Sequence, residues 1–162
     1  MAADRTLQIP RHSWASLVLE LRRRGQNRRE SGAFLLGKSS ADGGQVKTFL
    51  CYDDLDPDAL SGGYVSFHAS GYSALWERCG QLGLQVLADV HTHPGKDVRQ
   101  SYIDQEHPML PVVGHIGLIL PKYGNTSWWS MSGVGVHVYQ GEFRWKSYTS
   151  ASPENPVSLC VW

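Results

Sequence analysis

Residues 84–104 read LQVLADVHTHPGKDVRQSYID, and the reading of this stretch decides both the fold and the chemistry. Its first part, 84–91 (LQVLADVH), is an apolar, β-branched run that reads as a strand, and Pro94 ends it because proline has no N–H to donate to a ladder. Side chains at i and i+2 of a strand leave the same face, so His91 and His93 project together from the strand end. Two neutral imidazoles that close make half of a zinc site. Ser101 and Asp104 lie three apart, on one side of a helical turn. Asp104 can then return to the same metal as a third ligand. Two histidines and one carboxylate leave a fourth tetrahedral position for water, the arrangement of a catalytic rather than a structural zinc. A lone His-x-His is weak; five residue types at fixed spacing arise by chance on the order of once in 10^5 chains.

Working outward, segment 11–24 places Trp14, Leu17, Val18 and Leu21 at helical spacing, with Gly25 as the stop and Arg22, Arg23 and Arg24 at the negative end of the helix dipole. Segments 32–38 and 45–51 read as strands of a hairpin, and 52–63 as an acidic loop. Segment 67–82 repeats the helical spacing with Tyr72, Leu75, Trp76 and Cys79, and Gly83 suits its C-terminal cap. A short helix over 101–107 and a buried strand over 112–120 follow. The strands 133–139 and 142–148 form a last hairpin joined by Gln140-Gly141. Alternation of helix and strand predicts an α/β or α+β fold with a mixed sheet: one domain over residues 1–150, and 151–162 as a tail or terminal segment.

The chain has 162 residues, with 41% apolar, 19% charged and 10% aromatic residues, which excludes a disordered chain, a coiled coil and a collagen. Lys+Arg and Asp+Glu are equal at 15 each, so there is no basic excess to neutralise nucleic-acid phosphates. No run approaches the apolar length that spans a bilayer, and the N-terminus lacks the apolar core of a secretory signal. The three cysteines, Cys51, Cys79 and Cys160, form no Cys-x-x-Cys pair, consistent with free thiols in a reducing cytoplasm.

The pattern HTHP-x6-S-x2-D resembles the JAMM motif of the JAB/MPN metalloprotease domains. Upstream, Glu30-Ser31-Gly32-Ala33-Phe34-Leu35-Leu36-Gly37 is similar to the family's E-x-G-G-x-L-x-G, with Ala33 in place of the second glycine. The resemblance covers most of the chain and implies a curved mixed sheet flanked by helices, with cytidine-deaminase-like layering. It implies that His91, His93 and Asp104 ligate one catalytic Zn2+. Glu30 would take the proton of the attacking water and give it to the leaving amine, and Ser101 would donate a hydrogen bond to the oxyanion. Family members with all five residues are, as a rule, zinc peptidases or isopeptidases that cut after the C-terminal glycine of a ubiquitin-like protein. The compact length resembles the bacterial branch, which accompanies E1-like and E2-like proteins, in some cases in antiphage defence. The alternatives are a peptidase for sulfur-carrier precursors or cysteine adducts, and a non-catalytic MPN-type scaffold.

Other residues carry blander expectations. Asp89 shares strand parity with His91 and would either orient a ligand or pair with an arginine. His115 reads as a satisfied core residue, and His12, His68, His107 and His137 as surface or capping residues. The arginines at 22–24, 28 and 29 read as a solvated helix end or a docking surface for an acidic partner. Trp128-Trp129 reads equally as core filling or an exposed contact. Cys79 lacks an activating neighbour and reads as core.

Overall fold

A computed structural model describes residues 6–162, and residues 1–5 of the expected domain lie outside that range. The strands are β1 (Leu7–Pro10), β2 (Gly32–Ser40), β3 (Gly43–Cys51), β4 (Gln85–Thr92), β5 (Ile116–Leu120), β6 (Gly135–Gly141), β7 (Arg144–Thr149) and β8 (Val157–Cys160). They form one curled sheet in the order β7-β6-β5-β4-β2-β3-β1-β8. The pairings β4–β5, β1–β3 and β1–β8 are parallel and the rest antiparallel, so the fold is α+β with a mixed sheet. The helices are α1 (Arg11–Gly25), α2 (Tyr52–Leu55), α3 (Ala69–Leu82) and α4 (Tyr102–Glu106).

Strand parity sorts the core into two layers. Ala33 and Leu35 of β2, with Ala88 and Val90 of β4, pack against Trp14, Leu17, Val18 and Leu21 of α1. Phe34 and Leu36 of β2 face the other way and pack with Tyr52, Leu75 and Cys79. With helices on both faces, β2 can be apolar at every position from Gly32 to Gly37, as its sequence is. Register shifts beside Leu36 on both of its neighbours bend β2 and help curl the sheet.

The helix ends follow local chemistry. Gly83 closes α3 in the left-handed conformation (φ 65°), and the Leu84 N–H returns to the Cys79 carbonyl. Helix α1 runs through Gly25 and closes one residue beyond it, at Gln26 (φ 53°). The arginines at its end are mostly tied into the fold. Arg22 donates to the Gly124 and Thr126 carbonyls, and Arg24 pairs with Glu20, Asp53 and Asp54.

Several expectations are refined. Of the two readings of 151–162, a tail or a terminal segment, the structure fits the second, with Val157–Cys160 forming edge strand β8 along the full length of β1. Strand β1, only four residues ending at a proline, was too short to show periodicity. The expected loop 52–63 begins with the helical turn α2. The last hairpin turns at Glu142-Phe143 rather than Gln140-Gly141, because a register shift between Tyr139 and Gly141 carries the strand two residues further.

That turn places Glu142 (φ 53°) and Phe143 (φ 59°) in the left-handed region, where a two-residue hairpin loop prefers Asn-Gly. Left-handed backbone strains a residue that carries a Cβ, together roughly 1–3 kcal/mol for the two. The double replacement Glu142→Asn with Phe143→Gly is therefore expected to raise Tm by several degrees in calorimetry. An unchanged or lower Tm would show that Phe143 contacts outweigh the backbone strain.

Candidate metal centre

The site begins where β2 and β4 end together. Gly32 pairs with His91, and the two chains are then locked by Thr92, whose N–H donates to the Ser31 carbonyl (2.9 Å) and whose Oγ1 accepts from the Ser31 N–H (3.0 Å). Ser31 is anchored in turn to α1, its Oγ donating to the Leu21 carbonyl (2.8 Å). Thr92 and Ser31 are fully buried. With Thr92 turned inward, the residues on either side of it turn outward together, and Glu30 is carried to the mouth of the same groove as His91. Neither Ser31 nor Thr92 stood out in the sequence; the signal was present only as the middle letter of His-x-His.

The parallel β4–β5 pair requires a crossover connection, residues 93–115, and this segment returns the third candidate ligand. Ser101 is the N-cap of α4. Its Oγ accepts from the Asp104 N–H (3.1 Å), and the Asp104 carboxylate accepts from the Ser101 N–H (2.8 Å). This reciprocal capping box aims the carboxylate back at the histidines. Ser101 both caps the helix and lines the groove, and its hydroxyl proton is left free to donate.

His91 Nε2 and His93 Nε2 stand 3.2 Å apart, His93 Nε2 is 3.1 Å from Asp104 Oδ2, and His91 Nε2 is 3.3 Å from Asp104 Oδ1. Zinc bonds of about 2.0–2.2 Å at tetrahedral angles separate ligand atoms by roughly 3.3–3.5 Å. The three side chains thus form a triangle of the right size for a small divalent ion. His93 donates Nδ1–H to the Asp97 carbonyl (2.9 Å), the only role a carbonyl partner permits, which leaves the Nε2 lone pair free for a metal.

The three candidate ligands and Glu30 shift one another's acidities. For Asp104, burial pushes the carboxyl up, but hydrogen bonds from His91 and His93 outweigh it and hold the group well below the usual carboxylate range. Burial pulls His93 down, but Asp104 and the Asp97 carbonyl win and raise it. Glu30 is raised, chiefly by burial, with the two histidines opposing. A raised carboxylate is a better proton acceptor than an exposed one.

The groove has a volume of about 740 Å³. Aromatic rings of Tyr64, Phe67 and Tyr72 form one wall, and the row Asp89, Gly117 and His137 crosses the floor. Gly32 lets the Tyr52 ring reach this floor, since a Cβ there would lie 2.3 Å from Tyr52 Cε2. Among the described residues the buried Tyr52 hydroxyl meets no partner at full hydrogen-bond geometry, although the Asp89 carboxylate lies near it; burial first, and then that carboxylate, push it well above the usual phenol range. Asp89 shares the face of His91, as parity requires, but pairs with His115 (2.6 Å) rather than with an arginine or a ligand. His115 is therefore a satisfied core residue.

His137 is a correction. Expected at the surface, it is 4% exposed. Burial holds it below the usual imidazole range, which favours the neutral ring. Nε2–H donates to the Val98 carbonyl (2.9 Å) and Nδ1 accepts from Ser147 Oγ (2.7 Å). His68 is exposed at the N-cap position of α3, where its ring pairs with Asp56 rather than capping the helix, and His107 is exposed at the end of α4. Trp128 and Trp129 are exposed, Trp129 at 61%, and do not fill the core.

No protein-family model matches the chain. Among solved structures, a protein from Desulfitobacterium hafniense superposes with a TM-score of 0.65 at 14% identity, over 95% of this chain and 92% of the other. A protein from Salinibacter ruber superposes at 0.53 and 17% identity, over 87% and 92%. At these identities the likeness speaks to the fold alone. Among the described residues, no helix is long and apolar enough to cross a membrane.

Two outcomes follow from this geometry. Thr92→Val keeps the shape but leaves the buried Ser31 N–H unpaired, a loss of about 1–3 kcal/mol, expected as a clear drop in Tm. A Tm within one degree of the parent would show that the lock is dispensable. If this group takes up a metal, the ion must displace the proton that Asp104 stabilises on His93. Apparent affinity for Zn2+ is therefore expected to weaken as pH falls through the raised His93 pKa, with proton release on binding seen by calorimetry in two buffers.

Proposed function

We propose that the protein is a zinc-dependent peptidase or isopeptidase of the JAB/MPN type, cleaving after the C-terminal glycine of a ubiquitin-like protein. The observation that carries the reading is the convergence of Glu30, His91, Ser101 and Asp104, far apart in sequence, on one groove, with His93 beside them completing a ligand triangle of zinc dimensions. The MPN-type scaffold reading is less favoured because such scaffolds usually lack ligands that this chain has.

His91, His93 and Asp104 would hold the ion. Zinc supplies Lewis acidity, which brings the pKa of water from 15.7 to about 7 and polarises a carbonyl. Glu30, half-buried and raised, accepts the proton of the attacking water and returns it to the departing nitrogen. Ser101, its oxygen already accepting the Asp104 N–H, turns its own proton toward the oxyanion; one such donor contributes roughly 3–4 kcal/mol. The groove, walled by aromatic rings and floored by Gly117, suits an extended chain end laid beside the metal. Within the same reading, the functional neighbours are E1-like and E2-like proteins of a bacterial conjugation system, acting in the cytoplasm.

The test uses zinc-loaded protein with two substrates: a ubiquitin-like protein extended by a peptide beyond its terminal glycine, and the same protein linked to a lysine side chain. Preference for a sulfur carrier extended in the same way would favour the precursor-processing alternative. Glu30→Gln is expected to bind zinc normally and lose about 10²–10⁴-fold in kcat. Asp104→Ala is expected to lose both zinc and turnover while remaining folded. Undiminished turnover by the Glu30 variant would remove that residue from the base role. A protein with no zinc and no turnover would leave the scaffold reading.

A further inference from the structure

The segment 94–100 that follows the second histidine forms no helix or strand, yet it supplies the carbonyl that orients a metal ligand. Something must hold that carbonyl still. Two features of β6 do so. Gly135 leaves room for the segment to lie directly on the strand, since a Cβ there would come within 2.3 Å of the Val98 carbonyl oxygen. His137, two residues along on the same face, grips that same oxygen through Nε2–H (2.9 Å). The ring is fixed in turn, because Ser147 on the neighbouring strand β7 occupies Nδ1 at 2.7 Å, in register opposite it.

We infer that His137 is a positioning residue for the metal centre: through Val98 it clamps the adjoining Asp97 carbonyl, which holds His93 in the tautomer and orientation that present Nε2 to the ion. The chain of contacts runs from Ser147 Oγ–H to His137 Nδ1, from His137 Nε2–H to the Val98 carbonyl, and from the Asp97 carbonyl back to His93 Nδ1–H. The Asp97 and Val98 carbonyls belong to successive planar peptides, separated only by the φ and ψ of Val98, so fixing the second narrows the freedom of the first. The glycine beneath the segment is a second feature of the same clamp, separate from the hydrogen bonds that any buried imidazole needs. Outer partners of this kind commonly govern metal affinity, although they never touch the ion. The inference rests on the metal reading above and not on any substrate.

The test is metal binding alone, by competition of Zn2+ against a chromophoric chelator and by the visible spectrum of the Co2+-loaded protein, on the parent, His137→Phe, His137→Gln and Ser147→Ala. Calorimetry of each metal-free variant reports folding separately. His137→Phe keeps the ring volume without the donor and is expected to weaken Zn2+ binding about ten- to a hundredfold, with a changed Co2+ spectrum. His137→Gln can still donate to the Val98 carbonyl and is expected to recover most of that loss. Ser147→Ala lies on an edge strand, keeps the fold, and is expected to show a smaller loss of the same sign. If the parent binds one equivalent of metal and the folded variants all bind within twofold of it, the positioning role is overturned and the metal centre stands. If the parent binds none, the metal centre itself fails and the inference falls with it.

Discussion

The two hydrogen bonds between Ser31 and Thr92 are the constraint on which the rest of the site depends. They close the β2–β4 pair at the point where both strands leave the sheet. Because strand parity is strict, burying Thr92 obliges His91 and His93 to face the groove. Because Ser31 is tied to α1 as well, the residue before it cannot drift from the histidines. A one-residue slip here would exchange a metal-sized triangle for a buried pair of imidazoles. The chemistry is thus written into backbone registration before any side chain is considered.

The groove illustrates how small residues shape a site by what they omit. Gly117 sits between Asp89 and His137 on the floor, where a Cβ would make only ordinary van der Waals contact, 3.8 Å from the Asp89 carboxylate and 3.9 Å from the His137 carbonyl oxygen. Gly32 admits the Tyr52 ring, and Gly135 admits the segment carrying Val98. Each therefore serves a neighbour rather than itself. The polar groups left on the floor, Asp89 paired with His115 and the buried Tyr52 hydroxyl, make the deep end of the groove chemically distinct from its aromatic wall.

How much of this was legible depended on the range of the signal. The helices α1 and α3 and the central strands were readable because burial imposes a period on many residues at once. The candidate ligands were readable because a strand end and a capping box each pack their meaning into three or four letters: His91 to His93, and Ser101 to Asp104. Strands β1 and β8 were not readable. Each is four residues long and is stabilised by pairing with the other, so neither carries its reason locally. The role of His137 was hidden for a similar cause. Its partners lie 39 residues before it and 10 after it, and a buried histidine in a strand has no sequence mark of its own. The turn at Glu142-Phe143 defied local preference, and tertiary register overrode the usual glycine rule.

The pairing of β1 with β8 also governs the order in which the molecule can be assembled. Leu7 meets Val157 across a closed loop of about 150 residues, and the entropy of closing it grows with the logarithm of that span. The ribosome must therefore deliver residue 157 before this border of the sheet can exist, by which time every other strand has been synthesised. Until then β1 has only β3 to lean on, with its other edge open to whatever extended chain lies nearby. Nascent chains of this fold thus pass through an interval in which the candidate ligand cluster can already be built while one margin of the sheet still lacks its last strand.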